Sequence, residues 1–157
     1  MIRGVDELVD PAERIGYVIR MLSGALTQDI EQALRPVRLT LVQMGALVYL
    51  GRGGDMSTAE LARRIGVTPQ SMASALSGLE ARALVARSPH PTHGRVVQVR
   101  VTDDGRVLAV RAQRLTAGVE ARALALLGPD ERQHLPTRLM ALATGLGLLI
   151  EHERLNP

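Results

Sequence analysis

The side chains with most to offer chemically in this sequence are amides, hydroxyls and guanidinium groups, and they cluster. Gln70, Ser71, Ala73, Ser74 and Ser77 recur at the spacing of one broad helix face. An amide can bond the paired N6 and N7 edge of adenine, a hydroxyl serves a donor or an acceptor, and a methyl group fits thymine. Such a row suits reading a nucleic-acid groove; the plainer alternative is a solvated helix face. Charge stands around it rather than on it. All 19 basic residues are arginine, set against 16 acids for a net +3, and the planar guanidinium fork matches phosphate. Arg63 and Arg64 precede the row, Arg82, Arg87 and Arg95 follow it, and Ser57, Thr58 and Thr68 complete the candidate set for DNA contact. Arg82 could instead form an intrahelical pair.

The same inventory excludes other chemistry. The absence of cysteine rules out disulfides and thiolate metal sites. With no lysine and no spacing that unites a nucleophile with a base, an enzyme is not expected, and no cofactor is implied. His90 and His93 stand three apart but lack nearby carboxylates, so no metal is assigned to them. His134 and His152 have acidic neighbours, Glu131, Glu151 and Glu153, and read as surface pairs.

The elements that must position the row are marked locally. Ser57 and Glu60 have capping-box spacing, so a helix starts there, and Gly66 stops it after Ile65. Thr68 offers a cap oxygen and Pro69 suits the first position of a second helix. Only Gly66, Val67 and Thr68 separate the two, a turn of helix-turn-helix length. Leu61, Ala62 and Ile65 face Met72, Ala75, Leu76 and Leu79, with Val67 plugging the turn, and small Ala62 and Ala75 permit a close crossing. An ordinary helical hairpin is the alternative.

Around this motif the chain is mostly helical. Asp10, Pro11 and Glu13 predict the start of a long amphipathic helix carrying Ile15, Val18, Ile19, Leu22, Leu26, Ile30 and Leu34, ending before Pro36. Its stripe is longer than a small core needs, so part of it is expected to meet another chain. Thr40 and Gln43 cap a shorter helix expected to end at Gly51, followed by a turn over 51–55 and a minimal strand at Met56. After the motif, 84–88 and 95–101 read as strands joined by a polar tip, which makes a wing. Thr102, Asp103 and Asp104 open a helix expected to reach Gly128. Pro129, Asp130 and Glu131 open a last helical stretch carrying Leu135, Leu139, Leu142, Leu146 and Leu149, which Pro136 should break or kink.

In this order the elements resemble the MarR family of bacterial winged-helix regulators over nearly the whole chain. The likeness lies in Leu39-Thr40-Leu41-Val42-Gln43, in Leu61-Ala62-Arg63-Arg64-Ile65-Gly66-Val67, in Leu79-Glu80-x-Arg82-x-Leu84-Val85-x-Arg87, and in Val101-Thr102-Asp103-Asp104-Gly105. The resemblance implies a single domain over 1–157, mostly α with a small β wing. Its winged helix-turn-helix would span 39–102, flanked by dimerisation helices over 10–35 and 103–157. It implies a homodimeric repressor on palindromic double-stranded DNA, released by a small phenolic or lipophilic ligand. Family wings commonly end in Asp-Arg-Arg where this chain has His93, Gly94 and Arg95, so one arginine remains without the acid that would orient it. Arginines common in the family at Ser74 and near Gly78 are absent. His93 and Arg95 nonetheless join the candidate DNA contacts.

The resemblance also implies an effector pocket between the dimer helices and the winged domain, bordered by Tyr17, Met21, Met44 and Tyr49; the same four could simply be core. The acids Asp6, Glu7 and Asp10 argue against a signal peptide, and the apolar run 139–150 is too short to span a bilayer, so a cytoplasmic protein with no membrane partner is expected. The rival to a regulator is a winged-helix module for protein interaction or ligand sequestration without sequence-specific DNA binding, motivated by the arginine-poor second motif helix.

Overall fold

The computed structural model describes residues 10–89 and 97–147, which form six α-helices and a three-stranded antiparallel sheet. Asp10 does act as a cap, accepting the Ala12 amide at 2.9 Å, but it serves a separate 3-10 turn, Pro11–Glu13. Extended backbone at Arg14 interrupts the chain, and α1 (Ile15–Leu34) starts after it without a side-chain cap, later than expected. The helix ends before Pro36, as the sequence predicts, in a 3-10 turn over Arg35–Val37 that closes with Arg38 in the left-handed region at φ 53°.

The capping box of α2 (Leu41–Gly53) is complete: the Gln43 amide donates to Thr40 Oγ1 at 3.2 Å, and the Thr40 amide donates to Gln43 Oε1 at 3.1 Å. This helix runs through Gly51 to Gly53, correcting the expected turn over 51–55. Gly54 supplies the positive φ of 77° that ends it, so the stop lies three residues beyond the first glycine able to provide one.

Next come β1 (Met56–Ser57), α3 (Thr58–Ile65), α4 (Pro69–Glu80), β2 (Val85–Pro89) and β3 (Val97–Val101). The sheet order is β1-β3-β2, with Met56 and Arg87 both opposite Val99. Leu47, Leu50, Leu61, Met72, Leu76, Leu79 and Val99 are sealed from solvent around this sheet, an aliphatic core in which Tyr49 is only a half-buried neighbour.

Helix α5 (Asp103–Ala123) is tied to the wing at its first turn. Thr102 Oγ1 accepts the Gly105 amide at 3.1 Å and donates to the Ala83 carbonyl at 2.8 Å. Glycine is required at 105, because a Cβ there would overlap the Leu84 carbonyl oxygen and a Val101 methyl. The helix stops at Ala123 rather than near Gly128. Arg132 of α6 (Pro129–Gly145) donates to the Leu127 carbonyl at 2.8 Å and to the Ala125 carbonyl at 3.1 Å, holding those groups in a tight turn instead. Pro136 does not break α6; it is exposed, where water can serve the carbonyl left without a donor.

Helix α1 docks on α5, with Asp29 and Arg122 paired at 3.0 Å, but its N-terminal half is bare: Ile15 is 66% exposed, and Val18, Ile19 and Leu22 are largely uncovered. Helix α6 buries no residue and exposes Leu139 and Leu142. Among the described residues no helix is long and apolar enough to cross a membrane.

Candidate nucleic-acid interface

Ser57 Oγ accepts the Glu60 amide at 3.2 Å and starts α3, but the reciprocal half of the expected box is replaced. The Glu60 carboxylate turns instead to Arg64, bonding Nη2 at 2.9 Å and Nε at 3.2 Å. A forked charged donor one turn along is a stronger partner for a carboxylate than the amide behind it. Gly66 adopts φ 77°, and the amides of Gly66 and Val67 both return to the Ala62 carbonyl, which turns the chain sharply. Thr68 Oγ1 then caps α4 by accepting the Ser71 amide at 3.1 Å and donating to Ser71 Oγ at 2.9 Å.

With Met72, Leu76 and Leu79 sealed beneath it, α4 presents Gln70, Ser71, Ala73, Ser74 and Ser77 outward, all exposed. The structure thus gathers the whole neutral row on one surface. Ser77 Oγ donates to the Ala73 carbonyl at 3.0 Å and Ser71 Oγ is engaged by Thr68, so these hydroxyls are partly occupied. The side chains of Gln70 and Ser74 make no hydrogen bond to another described residue. Ser57 and Thr58 are half-buried at the start of α3.

The arginines divide. Arg63 is exposed at the end of α3, Arg64 is held by Glu60, and Arg87 pairs with Glu80 at 3.0 Å. The more exposed Arg87–Glu80 pair contributes little, whereas the Arg64 side chain is mostly buried against its partner. Arg82 does not form the intrahelical pair that was the alternative for it. Its guanidinium donates to the carbonyls of Arg38 at 2.6 Å and Val37 at 3.0 Å. His90, His93 and Arg95 lie outside the described residues, as do Leu149 and His152. His134 places Nδ1 2.7 Å from the Asp130 carbonyl rather than against an acid, and Glu131 is taken by the Gly128 amide at 2.7 Å. Among the described residues no three His, Asp or Glu side chains group as a metal site.

The four residues expected around an effector divide between two settings. Met44 and Tyr49 pack against the core, while Tyr17 and Met21 are exposed on α1, where Arg20 lies over the Tyr17 ring at 5.2 Å. One cleft among the described residues lies between α2 and α5. It encloses about 280 Å³ between the apolar side chains Leu47, Val48, Ala109 and Val110, with Arg52, Arg106 and Gln113 among its lining. Arg106 is anchored by donating to the Gly51 carbonyl at 2.8 Å. Two further residues escaped sequence reasoning. Gln43, legible only as a local cap, also donates from Nε2 to the Ala75 carbonyl at 3.3 Å, and Gly78 leaves room for it.

These features meet known proteins at two levels. Residues 39–96, from just before α2 to the residue before β3, match the model of the MarR family. Over 120 residues the chain is 37% identical to the transcriptional repressor Rv2887 of Mycobacterium tuberculosis, covering 76% of this chain and 86% of that one. The chain belongs to the MarR family. Among solved MarR-family structures, the repressor CouR bound to a 23-mer DNA duplex superposes with a TM-score of 0.79 at 30% identity, covering 88% of this chain and 99% of CouR. Rv2887 in complex with p-aminosalicylic acid superposes with a TM-score of 0.69 at 32% identity, covering 83% and 98%. MarR proteins are dimeric, DNA-binding transcriptional regulators. At Gly78 of this MarR protein a Cβ would stand 2.8 Å from Gln43 Nε2, so a side chain there would require the Gln43 amide to shift.

Proposed function

We propose that this protein is a homodimeric transcriptional repressor, acting in the cytoplasm on a palindromic DNA site and released by a small aromatic acid. The observation that carries the reading is α4 itself: its apolar face is sealed into the core while Gln70, Ser71, Ala73, Ser74 and Ser77 stand out together. Gln70 and Ser74 would bond base edges, Ala73 would touch a thymine methyl, and Ser71 and Ser77 would assist. Ser57, Thr58, Thr68, Arg63, Arg64 and Arg87 would hold phosphates, and His93 and Arg95 would reach the adjacent groove from the wing. No reacting centre is proposed, in keeping with a family of regulators rather than enzymes.

For dimerisation we assign the bare stripe of α1 and the exposed leucines of α6, with α5 between them, as the elements that interlock. The winged domain over 39–102 would then be carried by helices within 10–35 and 103–157 as one unit. The effector reading rests on the cleft between α2 and α5, whose apolar walls suit a ring and whose Arg52 and Arg106 suit a carboxylate. Salicylic acid and p-aminosalicylic acid are bound by the relative Rv2887, which supports the same chemical class here. Tyr17 and Met21 lie on the face assigned to the dimer and would border a ligand only in the assembled protein. Met44 and Tyr49 would support the cleft from the core side.

The engagement of Arg64 and Arg87 by acids favours one other reading, a winged-helix module that no longer reads sequence. Selection of bound duplexes from a random pool, followed by titration of the enriched duplex against a random one at two salt concentrations, separates the two. We expect the enriched duplex to bind at least about a thousandfold tighter, and salicylate to release it. Equal affinity for both duplexes, or no binding even at low salt, would sink the repressor reading.

A further inference from the structure

Arg82 lies in the turn after α4, and its guanidinium crosses to the 3-10 turn that joins α1 to α2. Nη1 donates to the Arg38 carbonyl at 2.6 Å and Nη2 to the Val37 carbonyl at 3.0 Å. A planar fork on two successive carbonyls fixes direction as well as distance. A second tie reaches the same segment from the middle of α4. Gln43 Nε2 donates to the Ala75 carbonyl at 3.3 Å while its Oε1 holds the Thr40 amide at 3.1 Å, so the side chain is fixed at both ends of its amide. The amide passes over Gly78, where a Cβ would collide with it.

The ties run from α4 and the turn that follows it to residues 37–43, which continue directly from the α1 helix. Burial of Met72, Leu76 and Leu79 holds α4 on the body, but apolar burial is non-directional and resists separation better than it resists rolling. Directional polar bonds at the middle of the helix and in the turn just past its end supply what burial does not. We infer that Arg82, assisted by Gln43, is a positioning residue that sets the roll and tilt of α4 against the connection to α1. It thereby sets how two copies of Gln70 and Ser74 are spaced in the dimer. Arg82 contributes to sequence recognition without touching DNA. This rests on the reading of α4 as the DNA-reading helix.

The test compares wild type with Arg82→Gln, which loses the fork, and Arg82→Lys, which keeps a single cationic donor. The probes are the duplex that wild type enriches from a random pool, a random duplex, and the enriched duplex with one base pair added or removed between its half-sites. For Arg82→Gln we expect affinity for the enriched duplex to fall about tenfold, with binding to the random duplex and the slope of log affinity against log salt unchanged. Discrimination against altered spacing should shrink severalfold, with Arg82→Lys in between. Equal loss on both duplexes, with a salt slope shallower by about 0.9 for each lost phosphate contact, would make Arg82 a phosphate ligand and overturn the inference. A lower melting temperature with spacing discrimination intact would reduce it to a stabilising contact and overturn it equally. Should Arg82→Gln fail to fold, Arg82→Lys decides by the same measurements. If wild type enriches no sequence, the DNA-reading role of α4 falls and this inference with it, an outcome distinct from the other two.

Discussion

Leu47, Leu61, Met72, Leu76 and Leu79 are sealed within a single protomer, whereas Ile15, Val18, Ile19, Leu22, Leu139 and Leu142 on the two outer helices are largely uncovered. Both sets repeat at threes and fours and are indistinguishable as patterns. What separates them is what lies opposite. The winged body has a sheet, four helices and a glycine that lets α5 seat on the Leu84 carbonyl, so its apolar faces close on one another. The N-terminal half of α1 and all of α6 have no such surface among the described residues. The body closes on its own contacts, and in the proposed dimer the outer helices would be covered by a second copy.

The contrast can be broken most severely in the body. Leu76→Ala should cost about 2–5 kcal/mol, measured by urea unfolding and independent of protein concentration; a concentration-dependent loss would mean that the core is shared between protomers. Gly105→Ala should cost about 1–3 kcal/mol by overpacking, read in the same way, and a neutral result would show that α5 can shift off the wing. In the outer region, Ile19→Asp should leave the circular dichroism of the body intact and weaken the dimer at least about tenfold in sedimentation equilibrium, since a charge replaces buried apolar area. A dimer of unchanged affinity would move the interface elsewhere. The smallest effect should be a gain. Ala83 is held at φ 55°, so Ala83→Gly should stabilise the body by about 0.5–1 kcal/mol; a loss of stability in thermal melts would show that the alanine methyl contributes packing.

Much of the outward face of α4 was legible in the sequence because its signals are local. The caps at Ser57, Thr68 and Thr102 each bond an amide three residues on, and Gly66 turns the chain within its own neighbourhood. The outward row on α4 follows from helical period once Met72, Leu76 and Leu79 are taken as the inner face. Helix ends were less legible. Gly51 could have ended α2 but Gly54 did, and α5 stopped at Ala123 because Arg132 claimed carbonyls beyond it. The effector residues were the least legible, since whether Met44 and Tyr49 face a cleft or the core depends on how α2 rolls against α5.

What the order of residues determined by itself was the succession of helices and strands, the helix-turn-helix with its neutral outer row, the exclusion of thiol chemistry, and an excess of apolar stripe over what one core can use. These follow from bonds and periodicities spanning a few residues. The tertiary structure alone decided which partner each long polar side chain takes. Arg82 could have faced DNA, an acid or solvent, and it crosses 44 positions to a backbone carbonyl; Arg106 likewise reaches 55 positions back to Gly51. A guanidinium on a flexible stem can meet any acceptor within its reach. Only the docking of α4 and α5 on α2 determines which acceptor lies there.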